Sequence, residues 1–359
     1  MMIPAAVIGC GRMGAFTSAS VRTYSPSYWL PLSHADALAL HPDVALKAFC
    51  DVDPQAVERA REAHDVAAGF TDLHEMLDQV RPRLLGIATR TVGRTDIIET
   101  ALGRGVEALH VEKPLCNTVA ELDRLEALLD RSGVHITLGT VRRHLDVYRV
   151  ARGLAGSGAY GAISEIRGCF GPGALYWSHP HTVDLILYLA AGREVVGVQA
   201  HLSNVEYGDR KTRIESDPIV DFAIIMFDDG VIAHIGRALG MNVEIACERG
   251  SVTVLSDGHA IELMSFEGDN PYPVREHFDG KVDLLPPQGS FGPVSQLVSC
   301  LKGDKDALLS NADIKRDIVR GQRILFAMMQ SHLCNSTMIG LDAVDPELDI
   351  RALTAGRPA

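Results

Sequence analysis

The chain has 359 residues, with 34 Lys+Arg against 46 Asp+Glu and a formal charge of −12. At about 150 residues per domain that length implies two domains, and the acidic balance argues against nucleic-acid or anionic-membrane binding. Hydrophobic residues are 47% and charged residues 22%, the profile of an ordinary globular chain, and no run approaches the ~18 apolar residues of a membrane span.

Pro4 to Gly9 reads as an opening strand with no basic leader or cleavage site ahead of it, so no signal peptide is expected. The strand runs into Gly9-Cys10-Gly11-Arg12-Met13-Gly14, a G-x-G-x-x-G expected to lie between a strand and a helix. In that setting the glycines give a tight turn, close backbone approach to a pyrophosphate, and close helix packing. The exposed N–H groups of a following helix favour phosphate charge. The next strand, Val44 to Cys50, ends at Asp51, the acidic residue that this fingerprint places on ribose hydroxyls. Asp51 follows Gly14 by 37 residues, against a usual ~20. The proline-rich, aromatic stretch Tyr24 to Pro31 accounts for the excess as an insertion, either a loop near the site or a surface elaboration.

Strands are then expected at Leu84–Ala88, Val106–Val111 and Val134–Leu138, with helices over 54–64, 73–80, 95–104 and 119–131 between them. Short apolar strands alternating with helices predict a doubly wound parallel sheet. After Arg143 the pattern changes. One helix over 145–155 leads into alternating runs at 163–170, 195–203, 219–227, 231–237, 243–247 and 252–255, with Asp228-Asp229-Gly230 as a hairpin turn. Helices return at 293–301 and 313–333, and the acidic tail from Asp342 is expected to pack back onto the body. The fold class is α/β: a Rossmann domain over 1–140, then an α+β domain over 141–359 with a mixed or antiparallel sheet. The seven cysteines are scattered and form no C-x-x-C pair, which suits reduced thiols in a cytoplasm.

Glu112-Lys113-Pro114 directly follows the fourth strand, at the carboxyl edge where open α/β sheets bind ligands. With the N-terminal glycine turn, with Ile87-Ala88-Thr89, and with Gly171-Pro172-Gly173-Ala174-Leu175 leading to His181-Thr182-Val183-Asp184, it resembles the Gfo/Idh/MocA oxidoreductases. These are NAD(P)-dependent sugar and cyclitol dehydrogenases. The resemblance covers nearly the whole chain and implies a large open sheet in the second domain. It also implies NAD held by Gly9, Gly11, Arg12, Met13, Gly14, Asp51, Thr89, Glu112 and Lys113. Lys113 would contact the reacting hydroxyl, and His181 would be the general acid/base, with imidazole chemistry suited to neutral pH. Two departures stand out. Trp177 occupies the place of a carboxylate four residues before the histidine, as an aromatic wall for a sugar ring or as filler, and Asp184 offers another carboxylate one helical turn beyond His181. Arg90-Thr91 replaces a Pro-Asn, so Arg90, like Arg143 beside Arg142, suits either a substrate carboxylate or solvent.

His179 and His181, with Asp184 and His144, could be imagined around a metal, but the resemblance explains His181 without one, and no metal is expected. The implied activity is hydride transfer between nicotinamide and a hydroxyl or keto carbon of a sugar, sugar derivative or cyclitol, in a homodimer or homotetramer. Two alternatives stay open: a glycosidase or eliminase that uses NAD transiently, and a non-catalytic NAD-binding regulator of the same fold.

Overall fold

A computed structural model describes residues 2–266, 268 and 270–352 and divides them into two compact units. The first gathers residues 1–117, 121–144 and 285–319, and the second gathers 118–120, 145–284 and 320–359. The expected single boundary after residue 140 is therefore replaced by repeated crossings. Residues 353–359 at the end of the tail lie outside the described residues.

In chain order the first unit has β1 (Ile3–Ile8), α1 (Ala19–Tyr24), α2 (His34–Leu40), β2 (Val44–Cys50), α3 (Pro54–His64), β3 (Ala68–Phe70) and α4 (Leu73–Val80). It continues with β4 (Leu84–Ile87), α5 (Arg94–Gly103), β5 (Ala108–Val111), α6 (Val119–Ser132) and β6 (His135–Leu138). The strands form one parallel sheet in the order β3-β2-β1-β4-β5-β6. All four residues of β4 and of β5 are buried, as a parallel sheet covered on both faces requires. The helices between them carry their own punctuation: Asp53 accepts the Gln55 N–H at 2.9 Å ahead of Pro54, and Asp72 accepts that of Glu75 at 2.8 Å.

Sequence and structure part at the glycine turn. No continuous helix follows Gly14. The Ala15 N–H closes one turn on the Gly11 carbonyl, and the chain then departs over residues 16–33 through α1. It returns so that the N–H groups of His34 and Ala35 bond the carbonyls of Met13 and Gly14, at 2.8 and 2.9 Å. α2 thus resumes the interrupted helix. The excursion is 18 residues long, and without it the Gly14-to-Asp51 spacing falls to the usual ~20. It is pinned rather than loose: Ser290 donates from its nitrogen to the Pro31 carbonyl and from its hydroxyl to that of Leu32, and the Arg142 guanidinium lies 4.9 Å from the Trp29 ring centre.

The second unit has α7 (Asp146–Gly156), β7 (Ile163–Cys169), α8 (His179–Ala190), β8 (Val195–Ser203), β9 (Arg213–Ile214), β10 (Ile219–Phe227), β11 (Ile232–Gly236), β12 (Asn242–Cys247), β13 (Gly250–Leu255), β14 (Ala260–Ser265) and β15 (Val274–His277). Eight strands form one mixed sheet in the order β15-β14-β13-β12-β7-β11-β10-β8, antiparallel throughout except where β7 meets β11. β14 and β15 lie beyond the last strand the sequence pattern indicates. α9 (Phe291–Leu301) and α10 (Lys305–Leu333) follow, and β16 (Asp349–Ile350) pairs with β9, so the acidic tail does pack back.

The segment 285–319 completes the first unit. Asn311 donates to the Ile136 carbonyl at 2.9 Å and accepts the Ile136 N–H at 3.2 Å, so its amide closes the outer edge of β6. Arg143 meets Asp317 through both terminal nitrogens at 3.1 Å, with both side chains buried. Removing one member of a buried pair leaves an uncompensated charge. Asp317→Ala is expected to cost about 3 kcal/mol, read as a lower denaturant midpoint with an unchanged slope.

Candidate active site

The nucleotide turn lies at the carboxyl end of β1. A side chain on Gly14 would put its Cβ 1.6 Å from the Gly9 carbonyl oxygen, and one on Gly9 would crowd the backbone of Ala88 and Thr89. Gly11, by contrast, faces nothing within 4 Å, which leaves its backbone open to a ligand. Arg12 is exposed and Met13 half-buried. Asp51, just beyond β2, accepts the Cys10 N–H at 2.7 Å and the Asp53 N–H at 3.0 Å. Each bond uses a different carboxylate oxygen, and each oxygen keeps a lone pair for a further donor. Thr89, just beyond β4, has a buried hydroxyl with no hydrogen-bond partner among the described residues. An open glycine backbone, an acidic residue at the end of β2 and an orphaned hydroxyl at the end of β4 together fit a dinucleotide. Cys10 and Cys50 beside them are pushed up to about 12, mainly by burial and then by Asp51, so both stay neutral thiols.

Lys113 stands half-buried on the same sheet edge, between Glu112 and Pro114, with a cis bond to the proline. Glu112 is buried and bonds His34 Nε2 at 3.2 Å. Burial alone would raise the Glu112 carboxyl. The His34 hydrogen bond and the charges of His34, Lys113 and Arg94 outweigh that effect and hold it below its usual range. Its carboxylate also sits where a side chain on Gly139 would go, 2.7 Å from the Cβ position. The His34 ring lies against that of His110 at 4.2 Å, and His110 Nδ1 is 3.0 Å from Thr137 Oγ1. Burial, then His34 and His144, push His110 well below the ordinary imidazole value, so it is neutral. His34, which no sequence motif singles out, is thus the partner of the glutamate beside Lys113. No local signal marks it, because α2 brings it there from beyond the excursion.

The arginines sort differently from their sequence reading. Arg90 is exposed. Arg143, expected at the substrate, is instead committed to Asp317, because a buried guanidinium needs a counter-charge. The buried arginine of the β4 loop is Arg94, which the sequence reading did not single out. Only tertiary burial distinguishes it from Arg90.

In the second unit, α8 begins with His179-Pro180-His181, and the His181 N–H reaches the Ser178 carbonyl at 3.3 Å. From 179 to 187 every residue is buried except His181, which is half-buried; Asp184 is among the buried ones. His179 is pulled down to about 4 by burial against a smaller opposing effect of the Gly173 backbone, so it is neutral at pH 7. Trp177 is 51% exposed. Its N–H and that of Tyr176 donate to the two oxygens of Asp217, at 3.0 and 2.7 Å. A carboxylate is therefore present against this segment, but from position 217 rather than 177, and it holds backbone. Among the described residues no group of three or more His, Cys, Asp or Glu has the arrangement of a metal site.

The sequence model of the Gfo/Idh/MocA family, described as an oxidoreductase family with an NAD-binding Rossmann fold, matches residues 3–140. A 1-carboxy-3-chloro-3,4-dihydroxycyclohexa-1,5-diene dehydrogenase of Comamonas testosteroni is 26% identical over 210 residues, which is 54% of this chain and 51% of that protein. The match thus spans about half the length of that relative. Among solved structures, the WlbA dehydrogenase of Bordetella pertussis with NADH and UDP-GlcNAcA covers 95% of this chain and 99% of its own, at TM-score 0.68 and 20% identity. An oxidoreductase of Agrobacterium radiobacter with NAD+, L-tartaric acid and magnesium covers 96% of this chain and 99% of its own, at TM-score 0.71 and 16% identity. At these identities the two structures establish a shared fold.

Proposed function

We propose that the chain, whose residues 3–140 match the Gfo/Idh/MocA oxidoreductase family with its NAD-binding Rossmann fold, is a member of that family and an NAD-dependent dehydrogenase or reductase of CH–OH groups. The substrate class is a sugar, sugar derivative or cyclitol. The observation that carries this is the first unit's carboxyl edge, where the open Gly11 backbone, the Asp51 carboxylate and Lys113 follow β1, β2 and β5 of a single parallel sheet. The Comamonas relative, a dehydrogenase named for a dihydroxylated carbon ring, supports the substrate class.

When bound, NAD supplies the hydride-accepting ring. Gly9, Gly11 and Gly14 with Arg12 and Met13 would hold its pyrophosphate, Asp51 the adenosine ribose hydroxyls, and Thr89 with Glu112 the far end. Lys113 would hold the alcohol oxygen and stabilise its alkoxide character. His181 would take the hydroxyl proton onto its imidazole, with Asp184 as its support and Trp177 as a wall for the substrate ring. Arg90 remains as an exposed cation for an acidic substituent. Lys113 and His181 belong to different units, and each role is assigned on its own unit. The test is a screen of sugars, polyols and cyclitols with NAD, followed by absorbance at the NADH band; production of NADH on any of them supports the reading. Trp177 in place of a carboxylate favours a second reading, a regulator that binds NAD without turnover. Calorimetric NAD binding with no substrate in the whole screen would point there.

Asp51 also sets the choice of cofactor. Its carboxylate would meet a 2′-phosphate with like charge, and Val52 beside it carries no cation. NAD is expected to bind at least ~10-fold more tightly than NADP, a like-charge cost of about 1.4 kcal/mol. Asp51→Ala should lose most of that ratio in calorimetric titrations. Equal affinity of the unaltered protein for both would refute the assignment.

The proposal extends to a homodimer or homotetramer in the cytoplasm. β10 turns Ala223, Ile225 and Phe227 inward but leaves Phe222 exposed and Ile224 and Met226 half-buried on its other face. An apolar strip of that kind suits a face between subunits.

A further inference from the structure

Arg94 is the first residue of α5, and its side chain is wholly buried, a rare place for a guanidinium. Nη1 donates to the carbonyl oxygens of Glu112, at 2.5 Å, and of Pro114, while Nη2 donates to that of Thr89. Glu112 and Pro114 are the two neighbours of Lys113. Thr89 lies at the start of the loop after β4 that abuts the glycine turn, its nitrogen 2.9 Å from where a Cβ on Gly9 would stand. One planar cation therefore joins the backbone on both sides of Lys113 to the loop beside the nucleotide turn. Burial lowers Arg94 to about 10, against the opposing charges of Glu112, Cys116 and Glu121, so it is a cation at neutral pH. Helix formation does not ask for it: Gly93 precedes α5 in a left-handed conformation and caps it without a side-chain bond. An arginine is instead suited to this place because its rigid fork bonds several acceptors at fixed angles, which a lysine cannot do.

We propose that Arg94 is a positioning residue, clamping the carbonyls of Thr89, Glu112 and Pro114 so that Lys113 is fixed relative to the cofactor turn. The inference rests on the role assigned to Lys113 above. Reacting atoms must approach within about 3–3.5 Å, and a misplacement of 1 Å costs on the order of 10²-fold in rate. A lysine on a four-carbon stem keeps its own freedom, so fixing its backbone removes the one source of drift that the side chain cannot correct.

The chain has seven lysines, few enough to resolve by NMR after reductive methylation with 13C, which keeps their charge. The Lys113 signal is identified by its loss in Lys113→Arg. In the unaltered protein it is expected to be sharp and displaced from the exposed lysines. In Arg94→Met it should move to their position or split, while the circular dichroism spectrum stays that of the folded protein. Arg94→Lys should fall between. Arg320→Met is the control: it removes another buried arginine, bonded to Glu194 and the Arg193 carbonyl, and should leave the signal in place. An unmoved Lys113 signal in folded Arg94→Met overturns the proposal, and if that variant does not fold, an unmoved signal in Arg94→Lys does so. On a polyol that the unaltered protein oxidises, Arg94→Met should lower kcat at saturating NAD by ~10²-fold. If the unaltered protein turns over no polyol, the functional reading fails, and the Lys113 signal still decides the clamp.

Discussion

Replacing His181 by alanine is expected to lower kcat by ~10²–10⁴-fold, the usual worth of a positioned acid/base. α8 is an apolar helix whose first residues are nearly all buried. Within 179–187 only His181 is half-buried, so only its imidazole combines a fixed backbone with access to a ligand. The neighbouring His179, pulled to about 4, cannot accept and release a proton near pH 7 and is no substitute. The loss should appear in kcat and kcat/KM alike, since a base matters in the transition state rather than in binding. NAD affinity should change little, because the role assigned to His181 is on the hydroxyl proton and not on the cofactor. The assay is initial NADH formation under saturating NAD and a polyol that the unaltered protein oxidises. Full activity in the variant would end the assignment.

Lys113→Ala is expected to reduce kcat/KM by ~10²–10³-fold, comparable to losing a donor to a developing oxyanion. Glu112, the carboxylate next to Lys113, is already bonded to His34 and faces Arg94 as well. Removing the lysine therefore leaves no isolated buried charge, and the fold should survive. NAD titrations by calorimetry should be nearly unaffected. A collapse of cofactor affinity in this variant would mean that the lysine serves the cofactor rather than the substrate, and the mechanism would need another group at the hydroxyl.

What could be read from sequence was local. α3 and α4 begin where Asp53-Pro54 and Asp72 cap them, because a cap is a bond between near neighbours. The glycine turn, Asp51 and Lys113 were legible for a related reason: a strand end followed by Gly-x-Gly or Glu-Lys-Pro fixes its position in a parallel sheet without further information. The rest depends on contacts made over long stretches of chain. The helix after Gly14 is interrupted because His34 and Ala35, some twenty residues on, supply its hydrogen bonds. Arg90 and Arg94 look equivalent in a loop-to-helix segment, and only burial separates the clamp from the exposed cation. Arg143 reads as a candidate for substrate until Asp317, far along the chain, is seen against it. β14 and β15 were missed because their exposed faces carry charge, Glu262, Arg275 and Glu276 among it, and the alternation is correspondingly faint.

The return of residues 285–319 to the first unit bears on how the protein is made. A ribosome delivers β1 to β6 early, yet the Asn311 amide that closes the edge of β6, and the Asp317 that neutralises Arg143, emerge only after residues 145–284. At 5–20 residues per second, that intervening stretch takes roughly 7–28 s to synthesise. Throughout that interval the nascent nucleotide-binding unit has an open strand edge and lacks the Asp317 carboxylate, and an open edge is where chains pair wrongly with one another. Nascent-chain chaperones therefore have a defined window and a defined surface to shield, and a fragment that stops at residue 140 would carry the same bare edge permanently.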